Sequence, residues 1–216
     1  MKSRLLVLNA SARRDRSITR QLTMRLAQAW LAARPAGEIV TRDIGQAPPT
    51  AINQDWIAAA YSRVPGSERH PSLAESERLI DELDSADAVI IGTPLYNFGM
   101  PAVLKLWLEQ IIRVGRTFRI EVGPGGERYL PLLRPKPVFV VVAAGNPAFL
   151  RDGSLASVNF LRSHLGAVLE FLGFGDLTFI EVGEAEAKQG MVPPSLLAAE
   201  NRLRRTVDDP VTARPA

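Results

Sequence analysis

Five short apolar or β-branched runs alternate along the chain with segments whose apolar residues recur at helical spacing. The runs lie near residues 4 to 9, 38 to 43, 87 to 93, 137 to 144 and 177 to 182. The helical segments lie near residues 17 to 33, 72 to 85, 101 to 114, 156 to 172 and 195 to 206. Such alternation is the pattern of a parallel sheet covered on both faces, because a parallel connection needs a crossover that is usually a helix. The first, third and fourth runs are too continuously apolar to be half exposed, so they belong in the middle of the sheet. Right-handed crossovers then predict an α/β three-layer sandwich around a five-stranded parallel sheet, in strand order 2-1-3-4-5.

Two connections exceed what such crossovers need. Residues 45 to 71 carry Pro48, Pro49, Trp56, Tyr61 and Pro65, and residues 117 to 136 carry Gly123-Pro124-Gly125-Gly126. Long loops in compact domains are usually functional or disordered. The second reads as a hairpin, with its glycines as the turn between Phe118-Arg119-Ile120 and Tyr129-Leu130. Residues 1 to 206 are expected to form one domain, and the tail from Val207, with Asp208-Asp209-Pro210, is expected to fray.

Composition narrows the chemistry. No apolar run approaches the roughly 20 residues that cross a bilayer, and the opening Arg4-Leu5-Leu6-Val7-Leu8 leads into polar residues instead of a cleavage site. A soluble, unexported, cytoplasmic protein is expected. The chain has no cysteine, so any redox chemistry must use a borrowed cofactor. Lys and Arg exceed Asp and Glu by 26 to 23, a net +3 without long basic blocks, which argues against a nucleic-acid surface. His70 and His164 stand far apart in sequence, so no metal site is predicted.

In an open α/β sheet, ligands bind beyond the carboxyl ends of the strands, where neighbouring crossovers leave in opposite directions. After the first strand the chain reads Asn9-Ala10-Ser11-Ala12-Arg13-Arg14-Asp15-Arg16-Ser17-Ile18-Thr19 and enters a helix. Hydroxyls and unpaired N–H groups there meet the positive end of a helix dipole, which is an anion site. Ser17 serves equally as an ordinary N-cap. Dinucleotide and Walker glycine patterns are missing, so the spacing suits a single phosphate. Arg13, Arg14, Arg16 and Arg20 crowd the same turn; they either attract that phosphate or form a solvated loop.

After the third strand comes Gly92-Thr93-Pro94-Leu95-Tyr96-Asn97-Phe98-Gly99-Met100-Pro101, with Pro101 suited to the start of the next helix. Such a turn can aim amides at the edge of a flat ring while a side chain covers its face, or it can simply pack locally.

Pro94-Leu95-Tyr96-Asn97-Phe98, Pro101, Leu104-Lys105 and Arg113-Val114-Gly115-Arg116-Thr117-Phe118 closely resemble the FMN-dependent NADH-azoreductase and NAD(P)H quinone oxidoreductase family. That family has a flavodoxin-like fold, and the likeness extends to Ser11 and to Ser17-Ile18-Thr19. The resemblance implies tightly bound FMN, with Ser11, Ser17, Ile18 and Thr19 on its phosphate and Pro94, Leu95, Tyr96, Asn97 and Phe98 against its ring. It implies NADH or NADPH as hydride donor, a quinone or azo acceptor in alternating turns, and a homodimer. No catalytic side chain is required, because the flavin performs the chemistry. Two departures stand out. Where the family commonly has Ser-Arg-Gly-Gly after the fourth strand, this chain has Ala143-Ala144-Gly145-Asn146-Pro147, which leaves backbone N–H groups of Ala144, Gly145 and Asn146 for the ring edge. Ile120 replaces a frequent aromatic beside Phe118 in the expected substrate wall. A one-electron flavodoxin carrier is the alternative, although such carriers are typically acidic. A cofactor-free binding module is a third reading.

Overall fold

The computed structural model describes residues 2–62, 64, 70–183 and 193–205. Pro65 and the tail from Val207 lie outside the described residues. Five parallel strands form the main sheet: β1 (Arg4–Asn9), β2 (Glu38–Asp43), β3 (Ala88–Pro94), β6 (Val138–Ala144) and β7 (Leu177–Gly183). β4 (Phe118–Gly123) and β5 (Gly126–Pro131) make a separate antiparallel hairpin. The sheet order is β2-β1-β3-β6-β7. This corrects the expected order 2-1-3-4-5, which numbered only the sheet runs. The hairpin supplies two further strands between the third and fourth runs, so chain numbering gives 2-1-3-6-7.

The period of two in a strand divides the core into two layers. Leu5, Val7, Ile90, Phe139 and Val141 turn to one face, against Leu26 and Trp30 of α1 (Ile18–Ala33) and Leu196 and Leu203 of α6 (Pro194–Arg205). Leu6, Leu8, Val89, Ile91, Val140 and Val142 turn to the other. There they meet α3 (Ala74–Ser85), α4 (Ala102–Ile111) and α5 (Leu161–Phe171). β1 therefore feeds a helix on one face and β3 a helix on the opposite face, which opens a crevice between their carboxyl ends. Gly92 permits the close seating of α1 on β3, because a Cβ there would come within 2.6 Å of Thr23 Cγ2.

The first long connection contains a helix that its sequence pattern does not reveal, α2 (Gln54–Ala60), capped by Asn53. Trp56 holds it down: its indole N–H donates to Gln110 Oε1 at 3.0 Å, and Gln110 Nε2 donates to Thr50 O at 2.8 Å. α4 ends at Ile111, short of the expected residue 114. Buried Arg113 is drawn instead to Ser76 and Glu77, and Arg116 pairs with Glu77 at 2.7 Å, which fixes the corner leading into the hairpin. The segment expected as a helix from 156 begins as a 3-10 turn, Ala156–Val158, and becomes α-helical only at Leu161. Among the described residues, no helix is long and apolar enough to cross a membrane.

Candidate functional site

A cavity of about 230 Å³ opens at the carboxyl ends of β1, β3 and β6. At one end it is polar. Ser11, Ser17 and Thr19 line it although they are only 3%, 4% and 2% exposed. Ser17 Oγ and Thr19 Oγ1 stand 3.2 Å apart, and the amide of Arg13 donates to Ser11 Oγ at 3.3 Å. Ser17 is the N-cap of α1, with extended backbone, and its Oγ accepts from the amide of Arg20 at 3.4 Å. It thus caps the helix and lines the cavity at once. The N–H groups of Ile18 and Thr19 fall in the first turn, where no intrahelical acceptor exists, and both residues line the cavity. Hydroxyls, first-turn amides and the positive helix end make this end an anion cradle.

The arginine cluster divides in two. Arg13 and Arg16 line the cavity. Arg14 is hydrogen-bonded to Gln46 Oε1, and Arg20 forms an ion pair with Asp43 behind the loop. Sequence reasoning passed over Asp43, Gly45 and Gln46, the partners that separate these arginines. They follow β2, distant in sequence from the loop they support, and carried no local signal.

At its other end the cavity is walled by Pro94, Leu95 and Tyr96 on one side and Ala143, Ala144 and Gly145 on the other. The two sides are joined because the Leu95 amide donates to Ala143 O at 2.8 Å. Beyond Tyr96 the chain reverses through Asn97 and Phe98, whose φ angles are 45° and 69°. Reciprocal hydrogen bonds between Tyr96 and Gly99, 3.0 and 2.9 Å, close the turn. Two successive non-glycine residues at positive φ cost about 1–3 kcal/mol each and persist only where surroundings enforce them. Here the Phe160 amide donates to Phe98 O at 2.8 Å, and the Phe98 and Phe149 rings lie 5.8 Å apart.

The structure therefore gathers Ser11, Ser17, Ile18, Thr19, Pro94, Leu95, Tyr96, Ala144 and Gly145 around one cavity. Asn97 and Phe98 sit on the turn beside it. Asn146 does not line the cavity, and its side chain accepts from the Ala148 amide at 2.9 Å as cap of the 3-10 turn Pro147–Phe149. Phe118 and Ile120 do not line the cavity. Phe118 is 7% exposed, its ring 5.1 Å from that of Phe171, while Ile120 is 40% exposed on the hairpin. His70 caps the 3-10 turn Pro71–Leu73. Among the described residues no three metal-ligating side chains are gathered at one place. An anion cradle joined through one cavity to a mostly apolar wall of Pro94, Leu95, Tyr96, Ala143, Ala144 and Gly145 fits a phosphorylated ring compound such as FMN.

Residues 3–207 match a family model described as the flavodoxin-like fold. The chain is 46% identical over 201 residues to an FMN-dependent NADH:quinone oxidoreductase of Opitutus terrae, covering 92% of this chain and 94% of that protein. It is 33% identical to an FMN-dependent NAD(P)H:quinone oxidoreductase of Pseudomonas aeruginosa, covering 93% and 96% of the two chains. Among solved structures, an azoreductase of Bacillus anthracis superposes with a TM-score of 0.74 at 18% identity, covering 94% of this chain and 98% of that one. An FMN-dependent NADH-azoreductase from the same species, solved in complex with FMN, superposes at 0.71 with 18% identity, over 94% and 97% of the chains. These two likenesses speak for the fold. The match over nearly the whole length, joined to the identities with the quinone oxidoreductases, shows that this chain belongs to the flavodoxin-like fold family, among the FMN-dependent NADH:quinone oxidoreductases.

Proposed function

We propose that this protein is an FMN-dependent NAD(P)H oxidoreductase that reduces quinones and aromatic azo compounds by two-electron transfer. The observation that carries the reading is the cavity itself, in which a buried hydroxyl cradle at a helix N-terminus faces a slot walled by Pro94, Leu95 and Tyr96. Ser11, Ser17, Ile18 and Thr19 hold the phosphate, and Arg13 and Arg16 add positive charge to its approach. Pro94 to Phe98 orient the ring, and the amides of Ala144, Gly145 and Asn146 face its edge. Bound FMN supplies the redox chemistry, accepting hydride from NADH or NADPH and returning two electrons to the acceptor. The protein's own contribution is position, since misplacing a reacting group by about 1 Å can cost on the order of a hundredfold in rate.

A homodimer belongs to this reading. The cavity in one chain measures about 230 Å³, against the roughly 300–1,000 Å³ of small-molecule sites, which is compatible with a second copy adding walls to it. Exposed Tyr61, Ile120, Tyr129 and Phe160 supply apolar surface for that contact, and the hairpin then brings Phe118 and Ile120 toward substrate. A single domain through residue 206 and a cytoplasmic location complete the proposal.

The test is the absorption spectrum of the purified protein with added FMN, followed by NADH under argon and then a quinone. Flavin bands that bleach with NADH and return with quinone are expected. Bound flavin that neither NADH nor NADPH bleaches would replace the enzyme with a one-electron carrier.

A further inference from the structure

We infer that Arg20 is a positioning residue for the phosphate site: it gathers the carbonyls of the β1–α1 loop behind the loop and so turns the loop's amides toward the anion. The inference rests on the reading of this cavity as an FMN phosphate site.

Three successive carbonyls of the loop accept hydrogen bonds from side chains on its far side. Arg20 Nη2 donates to Ser11 O at 2.7 Å, Gln46 Nε2 donates to Ala12 O at 3.1 Å, and Arg20 Nε donates to Arg13 O at 2.8 Å. In a trans peptide unit the N–H points opposite to the C=O, and no described peptide bond is cis. The amides of Ala12 and Arg14 are therefore directed away from the brace, and the Arg13 amide, turned the same way, donates to Ser11 Oγ at 3.3 Å and so fixes a hydroxyl of the cavity lining.

The guanidinium has four of its five N–H groups engaged, two of them by the loop carbonyls. Its remaining face meets Asp43, with Nη2 to Oδ1 at 2.9 Å, so its charge is matched where it stands and is not offered to the cavity. One planar fork makes four hydrogen bonds, to two carbonyls and to both oxygens of a carboxylate, one more than the three donors of a lysine ammonium supply. The seat behind the loop is tight. A Cβ on Gly45 would come within 2.1 Å of Ser11 O, so the chain leaving β2 forms a close back wall. The Gln46 amide also bonds Asp43 Oδ1, at 3.1 Å, which ties Asp43 to the same wall. All of this lies at the polar end of the cavity, whereas the ring end is shaped by the turn after β3 and by β6.

The consequence is selective. Loss of Arg20 weakens binding of a flavin that carries a phosphate and leaves riboflavin, which lacks one, unaffected. The full-length chain, freed of flavin, is titrated with FMN and with riboflavin by fluorescence quenching, for the wild type, Arg20→Met and Arg20→Lys. The wild type is expected to prefer FMN strongly. Arg20→Met is expected to lose about ten- to a hundredfold in FMN affinity while riboflavin stays within about twofold. Arg20→Lys should recover little of the loss. Equal losses for both flavins, or an unchanged FMN affinity, overturn the inference; full recovery in Arg20→Lys also overturns it, by assigning the effect to charge. Gln46→Leu frees Ala12 O, together with the Arg14 side chain that Gln46 Oε1 holds, and keeps the Arg20–Asp43 ion pair, so it decides the matter if Arg20→Met does not fold. A several-fold loss for FMN alone supports the inference, and no selective loss overturns it. A wild type that binds FMN no better than riboflavin instead removes the phosphate reading, and the inference falls with it.

Discussion

The two loops that build the cavity are held in shape by different supports. The loop after β1 carries one non-glycine residue at positive φ, Arg16 at 55°, under a dense polar support in which Ser17 caps α1 and Arg20, Asp43 and Gln46 bond the loop from behind. The turn after β3 has few polar supports and a strained backbone, with Asn97 and Phe98 at positive φ under a hydrogen bond from Phe160 and a ring contact from Phe149. A phosphate needs a fixed set of donors, and hydrogen bonds specify donors well. A ring that exchanges partners over one face needs a shaped wall, and a strained turn pinned by aromatic packing provides one. Binding and reactivity should therefore separate along this line.

The largest effect on the flavin is expected from Ser17→Ala with Thr19→Ala, which removes two buried hydroxyls from the cradle. Each charged hydrogen bond lost is worth about 1.5–3 kcal/mol, so FMN affinity should fall by about a hundredfold or more. The rate of bleaching by NADH at saturating FMN should hold. Titration by fluorescence quenching measures the first and stopped-flow absorbance the second; unchanged affinity would remove the loop from the site.

Asn97→Ala with Phe98→Ala is the converse. FMN affinity should change little, while stopped-flow bleaching by NADH should slow by on the order of a hundredfold as the ring loses its seat. A double variant reduced at the wild-type rate would erase the distinction between the loops.

A smaller effect is expected from Gly45→Ala, whose added methyl meets Ser11 O. Overpacking of this kind costs about 1–3 kcal/mol, so the thermal midpoint should drop by several degrees and FMN binding should weaken several-fold. Circular dichroism melts with and without FMN report both. A midpoint that does not move would mean that the back wall yields freely.

The smallest effect on the flavin is expected from Lys136, which precedes β6 at the end of the sheet opposite the cavity and is 4% exposed. Burial, with a contribution from the charge of Arg134, lowers its pKa to about 8 from the ordinary 10.5, against the opposing pull of Asp84 and Asp87. The unfolded chain therefore holds this proton more tightly, and stability should rise with pH between about 8 and 10.5. Lys136→Met should flatten that rise in urea melts and leave FMN titrations alone. A slope that persists in the variant would assign the pH dependence to another group.

Much of this was legible along the chain. Leu5 to Leu8, Ala88 to Ile91 and Val138 to Val142 are apolar at successive positions because β1, β3 and β6 are covered on both faces, and that continuity reveals their central place. α2 was not legible, since seven residues with two inward anchors, Trp56 and Ala59, are too few to show a period. Ile112 and Val114 keep the apolar character of α4, yet Arg113 between them leaves the helix to reach Ser76 and Glu77.

The sequence by itself determined the strands, the crossovers and hence the crevice, because these follow from local periodicity and the handedness of the chain. It also determined that hydroxyls would stand at the start of α1 and a proline-bounded turn after β3. The tertiary structure alone decided which arginines face the cavity and which brace it, and why Asn97 and Phe98 hold positive φ. Those outcomes depend on Asp43, Gln46, Phe149 and Phe160, partners dozens of residues away, which no local pattern can record because their hydrogen bonds and ring contacts exist only once the sheet has assembled.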